Sequence, residues 1–147
     1  MGGTWVSTTA PWEIEMPIRP AERIRVDSAQ CRVLLGKASV GRVVFTDMAM
    51  PAALPVVYVL DDEAVVFRVS DDSPLARVGG SVVGFEADDL DPATGDGWSV
   101  GAVGIATEVT DPTRLEALST VLPGPPHGRT LAITLARLSG QRQASQP

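Results

Sequence analysis

The chain has 147 residues, enough for one domain with a real core. Its formal charge of −6 argues against a nucleic-acid partner, whose phosphates need clustered Lys and Arg. Cys31 is the only cysteine and His127 the only histidine, so an intrachain disulfide, a thiolate metal cluster and a choice of imidazoles for a Ser/His/Asp triad are all excluded.

The first residues, MGGTWVSTTAPWEIEM, lack the basic-then-apolar order of a signal peptide, and no apolar run reaches the length of a membrane span. A cytoplasmic protein without a membrane partner is expected. Residues 1–22 read as an N-terminal arm, because Gly2, Gly3, Pro11, Pro17 and Pro20 forbid a long element. Trp5 and Trp12 are candidates for docking on the body or on a second subunit.

Asp27 or Ser28 caps a helix predicted to reach residue 35, with Cys31, Leu34 and Leu35 on its apolar face and Gly36 as its stop. Cys31 is therefore a small buried residue and not a nucleophile. A strand follows over 41–46. Residues 54–60, LPVVYVL, are nearly continuously apolar, as in a strand buried on both faces. Asp61, Asp62 and Glu63 turn the chain into a hairpin partner over 64–69.

The stretch VVFRVSDDSPLARV, residues 65–78, ends that strand and starts a short helix at Ser73-Pro74. Arg68 stands just before the helix start, where N–H groups and a guanidinium together make a candidate phosphate seat. The plainer alternative pairs Arg68 with Asp71 or Asp72. Further strands are predicted over 81–87, 98–109 and 130–138, with a third helix capped by Asp111. The loop at 123–128 holds His127 in a Gly/Pro-rich setting that offers no positioned base. Ten of the eighteen acids lie between Asp61 and Asp96 and read as a solvated rim. A domain over 23–140 and a polar C-terminal tail over 141–147 complete the division. Six strands joined by short turns, with three short helices, argue a mainly β fold: a six-stranded antiparallel barrel. No GxGxxG and no GxxxxGK[ST] is present.

The order GRVVF, LPVVYV, AVVFRVSDDSPLA and VVGFEADDLDPATGDGWSVGAVGIATEVTDP resembles the actinobacterial branch of the pyridoxamine 5'-phosphate oxidase-like proteins. The resemblance implies a split β-barrel, a homodimer with cofactor sites at the subunit interface, and an oxidoreductase using FMN or a deazaflavin on a small-molecule substrate. It implies cofactor contacts from Arg68, Val69, Ser70 and Ser73 at the phosphate. It places Pro55, Val56, Val57 and Tyr58 along the isoalloxazine, and Trp98 and Ser99 opposite, from the second subunit. Tyr58 is the one candidate proton donor; no catalytic residue is otherwise assigned, and no metal site.

Relatives read FRTxxGTKL where this chain has Val69 and Pro74 in place of threonine and lysine. Their PVNY asparagine is Val57 here, and an arginine in the strand after WSV is Val103. Each lost contact to a charged group is worth roughly 1.5–3 kcal/mol. Arg77, Arg42, Lys37 and the helix start at Ser73 are the remaining donors near the seat. The alternative is thus a cofactor-free or altered member acting as a small-ligand binding or regulatory protein.

Overall fold

The protein is described here by a computed structural model covering residues 22–125 and 127–144. The arm with Trp5 and Trp12 lies outside the described residues. In chain order the elements are β1 (Glu22–Val26), α1 (Ser28–Lys37), β2 (Val40–Asp47), β3 (Met50–Asp61), β4 (Ala64–Val69), a single 3-10 turn (Pro74–Arg77), β5 (Val82–Leu90), β6 (Gly97–Glu108), α2 (Pro112–Ser119), β7 (Arg129–Thr134) and β8 (Arg137–Ala144).

Six of these strands close a barrel in the order β6-β5-β2-β3-β4-β7, every pairing antiparallel, with β7 returning to β6. The two twelve-residue strands make closure possible. β3 pairs with β2 through its first half and with β4 through its second. β6 pairs with β5 and β8 early and with β7 late. At the switch stands Gly104, where a Cβ would lie 1.8 Å from the Thr134 carbonyl oxygen. Only a residue without a side chain lets the two backbones meet there.

Inward residues alternate along the strands and fill the barrel with Val43, Phe45, Val56, Tyr58, Phe67, Phe85, Val100 and Ile133. Fully burying each large apolar side chain contributes roughly 1.5–3 kcal/mol. Helix α1 plugs one side with Cys31, Leu34 and Leu35. Asp27 caps it by accepting from the Gln30 N–H at 2.8 Å. It runs through Gly36 to Lys37, one turn-step past the glycine stop that the sequence predicts.

Two readings change. The doubly buried strand is β4, not β3. Helix α2 lays Leu115 and Leu118, and the turn after it Leu122, over Ala64, Val66 and Ala132, so β4 is covered outside as well as inside. On β3 the outward Pro55 and Val57 are exposed, Val57 at 45%. The predicted strand over 130–138 is broken at Leu135-Ala136, and the polar residues after Ser139 are not a tail there. They form β8 as far as Ala144, pairing with β1 on one side and β6 on the other. These two polar strands extend the sheet beyond the barrel.

Candidate functional site

Where β4 ends, three segments meet around an apolar cleft of about 540 Å³. Leu54, Pro55, Val56 and Val57 come from β3, and Arg68, Val69, Ser70, Ser73 and Leu75 from the end of β4 and the turn beyond it. The loop Pro123, Gly124, Pro125 closes the third side. Seven residues proposed from sequence therefore share one site: Pro55, Val56, Val57, Arg68, Val69, Ser70 and Ser73.

Arg68 is half-buried on the outward face of β4, opposite Thr130 in the β4–β7 ladder. Among the described residues it has neither a carboxylate partner nor a hydrogen bond. The pairing with Asp71 or Asp72 does not form, because Arg129 takes Asp71. The Arg129 guanidinium lies 3.5 Å from Asp71, 3.6 Å from Glu108, and donates to the Ala76 carbonyl at 3.2 Å. Of the other cations considered for the seat, Lys37 does not line the cleft, and two are engaged elsewhere. Arg42 pairs with Glu86 at 3.0 Å and Asp88 at 3.4 Å, and Arg77 with Asp47 at 3.6 Å. Among the described residues that line the cleft, Arg68 is the one charged side chain, and it has no ion-pair partner among them.

The helix start contributes less than its sequence suggests. It is one 3-10 turn, and the Ser73 hydroxyl is spent accepting from the Leu75 N–H at 3.2 Å. Val69 is 7% exposed and packs with the barrel core as well as the cleft floor. Pro74 faces a different hollow, shared with Asp47, Met48 and Arg77.

Three predicted residues lie elsewhere. The Tyr58 ring points inward, its hydroxyl donating to the Leu35 carbonyl at 2.6 Å and its edge set against Phe85 at 4.9 Å between centroids. Burial pushes its pKa up to about 12, so it is a structural hydrogen-bond donor and not an available acid. Trp98 is buried at 7% exposure within the core of its own chain. Ser99 lies on the outer face of β6, in a groove with Arg25, Ser139 and Gln141. The Pro123–Gly124–Pro125 wall escapes the sequence reading, since only the fold brings it beside Arg68; the proline-glycine alternation was its one local signal.

A closed six-stranded barrel with this cleft on its β3–β4 side is the architecture of the flavin-type split barrels. A profile of the pyridoxamine 5'-phosphate oxidase family matches residues 27–142, and the chain belongs to that family. An uncharacterised protein of Mycobacterium tuberculosis is 40% identical over 105 residues, covering 67% of this chain and 69% of that one. An FAD-binding protein of Mycobacterium smegmatis superposes with a TM-score of 0.70 at 27% identity, over 81% of this chain and 96% of its own. An FAD-binding protein of Mesorhizobium loti shares the fold with a TM-score of 0.69 at 16% identity, over 85% of this chain and 99% of its own. No helix among the described residues is long and apolar enough to cross a membrane.

Proposed function

We propose that the protein is a cytoplasmic flavin-nucleotide-binding oxidoreductase that works as a homodimer. The carrying observation is Arg68: a half-buried guanidinium without a partner among the described residues, at the mouth of an apolar cleft. Burying an uncompensated charge is costly, so an anionic ligand is the natural complement. The cleft's volume lies within the roughly 300–1,000 Å³ common for small-molecule sites. Its walls, Pro55, Val57 and Leu75, suit the face of an isoalloxazine, and Ser70 offers a hydroxyl beside Arg68. The residues present thus fit FMN, or the flavin phosphate of a larger flavin or deazaflavin.

A bound flavin would supply the electron-transfer chemistry. The chain's own part is to hold the phosphate at Arg68, to lay the ring along β3 and to keep water from its inner face. The exposed outer side of β3, β2, β5 and β6 supports the dimer. Ala53, Val44, Gly84 and Val103 form one row across four strands, with Val57, Val40, Val82 and Ile105 exposed around it. A second copy laid on this face would cover the apolar β3 residues and bring its Ser99 toward the cleft.

The visible absorption spectrum of the purified protein tests the reading, followed by titration of the cofactor-free protein with FMN, FAD and a deazaflavin. A flavin band or saturable submicromolar binding is expected. Absence of both, in a folded protein, favours the second reading, an altered member that binds another small anion. The observation behind that reading is that Ser73 and Pro74 provide no free donor to the phosphate seat.

A further inference from the structure

The loop joining α2 to β7 runs across the end of β4, and two glycines set how closely it lies. A Cβ on Gly124 would stand 2.6 Å from Arg68 Cβ, 3.3 Å from its Cδ and 3.5 Å from its Cγ. Its φ of +141° is also closed to ordinary side chains. A Cβ on Gly128 would stand 2.3 Å from the Val69 carbonyl oxygen. Pro123 and Pro125 hold φ fixed on either side of Gly124. A stiff strip of backbone is thus laid along the aliphatic stem of Arg68, from Cβ to Cδ.

No carboxylate among the described residues holds the guanidinium, so its direction is set by what lies against the stem. An arginine free to rotate loses that freedom when it grips an anion, whereas one laid down beforehand has already lost it. The geometry points to Gly124 as a positioning residue for Arg68: the glycine removes the one atom that would push the stem aside, and the flanking prolines keep the wall in place. The guanidinium is thereby aimed into the cleft before any ligand arrives. This inference rests on the reading of the cleft as a flavin-phosphate site.

The test compares FMN with riboflavin, which lacks the phosphate. Gly124→Ala should weaken FMN about tenfold, the scale of one charged contact, and leave riboflavin unchanged. Gly95→Ala is the control: Gly95 also has positive φ, +77°, but nothing lies within 4 Å of its Cβ position. It should change neither affinity. Unaltered FMN binding in folded Gly124→Ala, or an equal loss of FMN and riboflavin, overturns the proposal. Should Gly124→Ala fail to fold, the Pro123→Gly/Pro125→Gly variant keeps the contact but loosens the wall. It should show the same phosphate-selective loss, and its absence overturns the proposal equally. If the wild-type protein binds neither flavin, the flavin reading fails by itself. The NMR signal of the Arg68 Nε–H then decides the positioning role: it should be sharp and protected in wild type and broadened in the variant, and identical signals would refute it.

Discussion

Asp71 is bound by Arg129 and not by Arg68, although Arg68 is three residues away and Arg129 arrives from a different strand. That exchange of partners separates the role of Arg68 from folding. Arg68→Ala should cost less than about 1 kcal/mol of stability, mostly from lost contact along its stem. It should weaken FMN by roughly 1.5–3 kcal/mol, one to two decades in affinity. Thermal unfolding and a fluorescence titration on the same preparation check both. A variant that unfolds readily would make Arg68 a structural residue.

Tyr58 gives a prediction in pH. Its folded pKa of about 12 lies above the value near 10 of an exposed tyrosine. The group is stabilising in its protonated form, so its contribution is complete below pH about 10 and is lost as pH rises from there toward 12, at roughly 1.4 kcal/mol per unit. Tyr58→Phe strands the Leu35 carbonyl in the core and should destabilise the protein by roughly 1–3 kcal/mol at neutral pH. The gap between wild type and variant should narrow above pH 10. Denaturant titrations at several pH values measure it, and a gap that stays constant would count against the buried hydroxyl.

Cys31 should be silent toward thiol reagents in the native protein. It is 1% exposed, and burial first, then the nearby Asp27 carboxylate, raises its pKa. Its Sγ sits where a Cβ on Gly140 would be only 2.6 Å away, so α1 and β8 are in close contact. Labelling should therefore proceed at the rate at which α1 lifts from β8. It should accelerate in step with mild denaturant, and fast labelling in buffer alone would disprove the packing.

The proposed dimer makes a claim about the row Ala53, Val44, Gly84 and Val103. Val44→Asp places a carboxylate in the middle of that row, on a side chain 45% exposed in the single chain. Sedimentation at micromolar concentration should show a dimer for wild type and a monomer for the variant, with unchanged circular dichroism. A wild-type monomer would remove any site shared between subunits.

Much of this architecture is legible in the residues. Five of the six barrel strands carry two or more valines and β7, RTLAIT, has Leu and Ile instead, because a closed barrel buries one face of every strand. β1 and β8 are not legible in this way. ERIRV and RLSGQRQA spend their side chains on water, and their pairing is visible only once the barrel exists. LPVVYVL reads as doubly buried because composition cannot tell a face covered by its own helix from one awaiting another surface. Val66 lies under α2, whereas Val57 is 45% exposed in the single chain. At the cleft, β3 and β4 residues could be named from sequence because a hairpin joins them. The loop at 123–125 could not, since it approaches Arg68 from more than fifty residues away.

The two-strand extension also decides where the protein is vulnerable to self-association of an unwanted kind. Barrel closure through β6 and β7 does not remove every border: among the described residues β1 has a strand, β8, on one side only. A strand with free N–H and C=O groups along one side is a template for another chain to extend. On this border every second position, Arg23 and Arg25, carries a cation on the face opposite Ile24. Like charges stacking every 4.8 Å or so in a growing ribbon would repel one another. The two arginines therefore oppose strand addition at this border, and neutralising both would remove that repulsion.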